Sequence, residues 1–404
     1  MHRRLLLTAR EARLLVVSTL VIWCGPTLAD DENVFRPYVD YVQFHSDNML
    51  LAPDDAFDRT LVGIEKVSDT YTRKAVGFSY DDQIGRQHLT ADIDVNRTDF
   101  QNLTQLDYNG EDFSANWNWL VGHDIEGNLG TTYIKAITPF EDFHDAELNL
   151  RTDRRVAADA TWHFHPSWRL VVGASDESLD YSLLSQLGED RNENIRECGV
   201  DFTPATGSTI GLQLRKVRDE FPNVDQASAP SGGSNSMQTE LNLKLSWKLT
   251  ENTNVSFSGG RAERKYDLDS ANDFSGFNGR AITVWSPTEK LSFTVNAWRE
   301  LVTAYDFTNL YSINHGFSIE PTWRISEKLK VLVSFKHETR NYTADVPTSD
   351  QRQDNFQAAK LTMSYSPLRH LLLSASLAHN DLGSTDPTQT YRANSVMVNA
   401  DYKF

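Results

Sequence analysis

The sequence predicts an all-β fold: a transmembrane, antiparallel, up-and-down β-barrel of the outer-membrane type with about 18 strands. Three observations carry this. The chain ends on Val396-Met397-Val398-Asn399-Ala400-Asp401-Tyr402-Lys403-Phe404, which alternates apolar and polar residues up to a terminal aromatic. That pattern puts Val396, Val398, Ala400, Tyr402 and Phe404 on one strand face, suited to lipid. Short turns recur about every 40 residues between alternating stretches, near Gly85, His123, Pro166, Ala205, Glu251, Thr288, Glu327 and Leu368. Trp119, Trp162, Trp247, Trp285, Trp323 and Tyr365 keep phase with those turns, each one to four residues ahead, where an aromatic girdle at the inner membrane interface would need them. A soluble propeller repeats at a similar length, but its blades hold four short strands where each repeat here supplies two long ones.

In chain order, Arg3, Arg4, Arg10 and Arg13 precede an apolar run from Leu14 to Trp23 that is too short to span a bilayer as a mature helix. Thr27-Leu28-Ala29 then offers a cleavage site, so 1–29 reads as a secretory signal peptide and 30–404 as one barrel. Cys24 lacks the small residues expected before a lipidated cysteine. Its loss leaves Cys198 as the only cysteine, so no intramolecular disulfide is expected.

The opening strand is expected near 34–45 and the closing strand near 391–404. Eight hairpins lie between them, so both termini fall on the periplasmic side. Ser286-Pro287-Thr288-Glu289, Ser326-Glu327-Lys328 and Ser366-Pro367-Leu368-Arg369 supply turn residues. Long external loops are expected near 46–69, 98–110, 138–150, 178–195, 218–237, 265–275, 302–313, 341–354 and 381–390, with 226–236 the most linker-like. None carries an obvious constriction signature.

Alternation also assigns faces. Leu241, Leu243, Leu245 and Trp247 oppose Glu240, Asn242, Lys244, Ser246 and Lys248; Val331, Val333 and Phe335 oppose Lys330, Ser334 and Lys336; Leu89, Ala91, Ile93 and Val95 oppose His88, Thr90, Asp92, Asp94 and Asn96. The polar sets are expected to line a hydrated lumen. The candidate lining residues are Arg73, Asp92, Asp94, Asp159, Arg215, Glu240, Asn242, Lys244, Lys248, Thr294, Glu320, Arg324, Ser334 and Lys336. Both charge signs occur among them, so no single-sign filter is legible.

A mean hydropathy of -0.48 excludes a polytopic helical protein, whereas a barrel meets lipid with only alternate residues. Formal charge is -17, and losing four Arg and one Glu with residues 1–29 takes it to -20, which argues against a nucleic-acid partner. Chemistry-bearing motifs are sparse. His163-Phe164-His165 has no third ligand, and Asp267-Leu268-Asp269-Ser270-Ala271-Asn272-Asp273 lacks the glycine and terminal glutamate of an EF-hand. No nucleophile elbow, phosphate loop or dinucleotide fingerprint occurs, so no enzyme, cofactor or metal is expected.

Ser68-Asp69-Thr70, Gln83-Ile84-Gly85-Arg86-Gln87, Trp117-Asn118-Trp119, the run from Leu150 to Arg155, and His165-Pro166-Ser167-Trp168-Arg169-Leu170 resemble the EpsL-type outer-membrane proteins of the beta-barrel porin 2 group, associated with exosortase-linked exopolysaccharide gene clusters. The resemblance spans about Val34 to Phe404 and supplies no catalytic residues. It implies export of an extracellular polysaccharide across the outer membrane of a Gram-negative bacterium. The implied partners are outer-membrane lipid, the barrel-assembly machinery, which would read Tyr402 and Phe404, a polysaccharide, and periplasmic export components. A general or solute-specific uptake porin and a structural or adhesive surface barrel stand as alternatives. Inward-folded loops and rings of charge would favour the uptake reading.

Overall fold

The computed structural model describes residues 34–63, 65–225, 235–268, 272–303, 309–344 and 351–404. The expected signal peptide and most of the linker-like loop, 226–234, lie outside the described residues. The strands are β1 (Phe35–Ser46), β2 (Asp69–Ile84), β3 (Gln87–Phe100), β4 (Tyr108–Val121), β5 (Ile125–Ile137), β6 (Leu150–His165), β7 (Trp168–Tyr181), β8 (Arg191–Phe202) and β9 (Thr209–Glu220). They continue with β10 (Ser236–Thr250), β11 (Thr253–Tyr266), β12 (Phe274–Thr288), β13 (Leu291–Thr303), β14 (Asn309–Arg324), β15 (Leu329–Ala344), β16 (Gln353–Leu368), β17 (Leu371–Ser384) and β18 (Tyr391–Lys403). Each strand pairs antiparallel with its neighbour in sequence, and β1 also pairs with β18, which closes an 18-stranded sheet into a barrel. Closure leaves no edge strand exposed.

Short turns gather at one end, hereafter the turn end, together with Val34 and Phe404. The long connections gather at the other, the loop end. Gly85 takes a left-handed φ of 63° that a two-residue hairpin requires. Two expected turns are displaced. Ser286-Pro287 and Ser366-Pro367 lie within strands as bulges, with register shifts between Trp285 and Thr288 and between Tyr365 and Leu368. The reversals themselves fall at Glu289-Lys290 and Arg369-His370. Proline cannot donate to the ladder, and a bulge is where a strand tolerates that loss.

The outer face is apolar. Leu241 (58 % exposed), Leu243 (44 %), Val398 (44 %) and Phe404 (62 %) all lie on it, as the alternation requires. At the turn end Trp162, Trp247, Trp285, Trp323 and Tyr365 form the aromatic girdle, all of them exposed. The largest buried apolar cluster sits inside the barrel at the loop end. It joins Phe100, Tyr108, Phe356, Leu382 and Tyr391 of the wall to Met49, Leu50 and Leu51 of the 47–68 connection and Phe140 of the 138–149 connection. The 47–68 connection contains one helix, α1 (Ala56–Val62), capped by Asp55. Ordered loops therefore fold into this lumen, contrary to the absence of any constriction signature in the sequence.

Candidate functional site

Among the described residues, the polar groups of the inner wall include three clusters that bring several charged side chains together. In the first, Arg73 on β2 sits 2.9 Å from Asp40 on β1, 2.9 Å from Asp94 on β3 and 3.3 Å from Asp112 on β4. Asn96 donates to Asp94 at 3.0 Å, and the Tyr38 hydroxyl donates to Asp92 at 2.9 Å. Tyr38 reaches β3 by lying across Gly77, where a Cβ would stand 2.6 Å from the tyrosine ring. The guanidinium fork suits this arrangement, because one planar cation satisfies three carboxylates that would otherwise repel.

The second cluster centres on Glu240 of β10, which is 3 % exposed. It accepts from Arg215 at 3.2 Å, Asn242 at 3.0 Å and Asn278 at 2.9 Å. The third lies on β13, β15 and the 138–149 loop. Glu338 accepts from Lys336 at 3.3 Å, Arg340 at 2.8 Å and the Trp298 indole at 2.9 Å. Arg280 and Lys336 both stand over the Trp298 ring, 5.1 and 5.5 Å from its centroid. These charges are paired and hydrogen-bonded, as buried charges must be.

The 138–149 loop connects β5 to β6, yet its Glu141 lies in the field of Arg340 and Lys336 on β15 and close enough to Tyr391 on β18 to act on its hydroxyl. In an 18-strand ring β15 stands half a circumference from β6, so the loop crosses the lumen. Phe140 is 9 % exposed inside the apolar cluster. Burying a side chain of that size contributes about 1.5–3 kcal/mol, enough to hold a loop in one place. His144 completes the crossing, with Nδ1 3.3 Å from the Leu50 carbonyl of the 47–68 loop and its ring 6.3 Å from that of Tyr391. Burial pushes the Glu141 carboxyl up to about 7 against the opposing pull of Arg340, and burial lowers His144. In the 47–68 loop the Asn48 side chain bonds Ala52 through both its amide and its carbonyl oxygen, at 3.0 and 2.9 Å, and bridges to the Arg392 carbonyl at 2.9 Å. A cavity of about 80 Å³ remains between these loops and the wall, lined in part by Phe44, Tyr71, Phe100 and Phe140.

The structure distributes the sequence-derived candidates unevenly. All fall on the inward register of their strands. Arg73, Asp92 and Asp94 enter the first cluster, Arg215, Glu240 and Asn242 the second, and Lys336 the third. Asp159 accepts from Asn128 at 3.0 Å. Thr294 faces Glu320 across β13 and β14, and Ser334 faces Lys360 across β15 and β16. Lys244 is half-buried, while Lys248 and Arg324 are exposed at the turn end. Asn242 is 6 % exposed and engaged with Glu240, so it does not project into open lumen. Glu141, Arg340, Glu338, Trp298 and Tyr391 escaped sequence reasoning. The signal for the first was an acidic residue beside Pro139-Phe140 in a loop whose length gave no reason to look inward.

Neither histidine of His163-Phe164-His165 is poised for a metal: His163 is 3.0 Å from Glu126, and His165 accepts from the Ser167 amide. Asp267 pairs with Arg218 at 2.6 Å, and Asp273 accepts from the Tyr266 amide. Among the described residues no group of three ligating side chains could hold a metal ion.

A closed eighteen-strand sheet with an apolar, aromatic-girdled outside and a charged inside defines an outer-membrane barrel of the porin kind, and so places the chain in a Gram-negative outer membrane. More particularly, the profile of the family described as "Putative beta-barrel porin 2" matches residues 198–404, and the chain belongs to that family. No curated protein sequence matches it. Its fold is similar to that of OccK2 (OpdF) from Pseudomonas aeruginosa, with a TM-score of 0.51, 9% identity, and coverage of 92% of this chain and 98% of that one. It is also similar to a BenF-like porin from Pseudomonas fluorescens Pf-5, with a TM-score of 0.50, 10% identity and coverage of 92% and 99%. A second OccK2 structure, in complex with glucuronate, has a TM-score of 0.50, 8% identity and coverage of 92% and 98%. These likenesses are of architecture.

Proposed function

We propose that this barrel is a solute-selective channel of the outer membrane, with the loop end outside, both termini periplasmic, and its lumen narrowed by the 138–149 loop. The crossing of the lumen by that loop carries the reading. A small hydrophilic solute can pass beside a docked loop, and charged walls held by ion pairs offer it weak, repeated contact from which it leaves as readily as it enters. The channel performs no chemistry. Its partners are outer-membrane lipid and the assembly machinery that inserts it.

Polysaccharide export remains as a second reading, supported by the resemblance of the hairpin motifs to EpsL-type proteins. A polymer chain would require the 138–149 loop to leave the lumen and Phe140 to leave its cluster. Deletion of the gene, with surface polysaccharide and small-solute permeability measured in one strain, separates the two readings. Slowed solute entry with normal polysaccharide supports the channel, and the converse supports export. Replacing residues 140–147 with a short Gly-Ser linker should raise single-channel conductance in planar bilayers. Absence of any conductance in wild type and variant alike would favour a closed structural barrel.

A further inference from the structure

Among the described strands, every Lys or Arg on the outward register, from Lys74 on β2 to Arg392 on β18, lies in the loop-side half of its strand. The turn-side half of the outer face carries the aromatic girdle and no strand cation. The two rims of the apolar band are therefore chemically different.

Two sites on the loop-side rim are unusual in a second respect. Lys74 on β2 stands directly opposite Arg97 on β3, and Arg196 on β8 directly opposite Lys216 on β9. Like charges directly opposite across antiparallel strands repel. Arg97 is relieved by Asp99 at 2.7 Å and Arg196 by Asp176 at 2.9 Å. Lys74 and Lys216 are exposed and have no ion pair among the described residues. Each cation also sits at the edge of the lipid-facing band. Val76 and Val95 follow Lys74 and Arg97 toward the turn end, and Val200 and Leu214 lie below Arg196 and Lys216. A strand step of two residues is about 7 Å, so the ammonium groups reach headgroup depth while their stems cover hydrocarbon.

The geometry points to these two cross-strand pairs as docking stations for a phosphorylated glycolipid of the outer leaflet, the lipid A class, whose phosphates neutralise the lysines that the protein leaves unpaired. The inference rests on the loop end being outside. A glycolipid phosphate bridging two cations of one station relieves their repulsion and ties the barrel to the leaflet through contacts that the girdle rim cannot make.

The test uses the full mature barrel refolded in lipid-free detergent, as wild type and as K74Q/K216Q. Each is titrated with bisphosphorylated lipid A, with the same glycolipid stripped of both phosphates, and with phosphatidylglycerol. Wild type should prefer the phosphorylated glycolipid over the stripped one by on the order of tenfold, and K74Q/K216Q should lose most of that preference. The variant should unfold no earlier than wild type without lipid, because a like-charge contact has been removed at each station. Equal binding of the two glycolipids by wild type, an undiminished preference in the variant, or equal preference for phosphatidylglycerol would each overturn the assignment. An error of orientation shows itself separately, as labelling of a cysteine at Thr288 from outside the cell.

Discussion

Leu243→Arg, compared with Ser246→Arg on the same strand, tests the inside–outside register of the wall. Leu243 faces outward, 44 % exposed, opposite Leu212 and Gly259 on its neighbours. It lies four residues from Trp247 in the girdle and four from Thr239, which pairs with Lys216 on the cationic rim. At about 3.3 Å per residue and a tilt near 40°, four residues amount to roughly 10 Å along the membrane normal. Leu243 therefore stands near the midplane of a band about 20–25 Å tall. An arginine there costs roughly 2–4 kcal/mol, a factor of about 30 to 800 in the folded-to-unfolded ratio. Ser246 faces inward and is exposed to the lumen, so an arginine there is solvated. The assay is the heat-modifiable band of each variant folded into vesicles across a urea series. Equal loss of folded barrel for both substitutions would refute the register, and with it the placement of the wall in lipid.

Three further outcomes are expected. The raised Glu141 carboxyl contributes to docking of the 138–149 loop fully below the ordinary carboxylate range and ceases to as pH rises through about 7, while the lowered His144 acts in the opposite sense and opposes docking only at more acid pH, where its imidazole protonates. Single-channel conductance should accordingly step up between about pH 6 and 8, and Glu141→Gln should flatten the profile. Tyr402→Ala with Phe404→Ala removes two aromatics packed edge to face, ring centroids 5.0 Å apart, from the outer face of the closing strand, and mature protein should then be degraded or held in the periplasm. Undiminished barrel in the outer membrane would dismiss the terminal signal. With Cys198→Ser as background, an impermeant thiol label on intact cells should react with Leu184→Cys, at a loop-end position 83 % exposed, and not with Thr288→Cys or Glu327→Cys.

The wall was legible because it is periodic. A period of two placed Leu241, Leu243 and Leu245 outward, and a repeat near 40 residues gave the strand number, because each hairpin must cross the same hydrocarbon thickness. The Ser-Pro pairs misled by one or two residues, since proline marks bulges as readily as turns. The lumen was illegible for a different reason. Glu141 lies in the field of Arg340 across half the ring, and nothing in the local composition of 138–149 records a partner about 200 positions away. Asn242 was assigned to the correct face, but its burial depends on Glu240, Arg215 and Asn278, which come together only when the sheet curls.

The seam between β1 and β18 bears on the order of events in time. It joins Tyr38 to Lys403 and Ser46 to Ser395, and the Phe404 amide donates to the Pro37 carbonyl at 2.9 Å. These contacts span nearly the whole chain, so none can form until the last strand has been made and delivered. Until then β1 and β18 each present an unsatisfied ladder of amides and carbonyls, and joining such distant segments is slow compared with hairpin formation. Any open sheet formed on the way to closure therefore carries two adhesive borders. A cell that makes this protein has to shelter those borders across the periplasm, and a variant that weakens only the seam would lengthen the exposed interval before it altered the finished barrel.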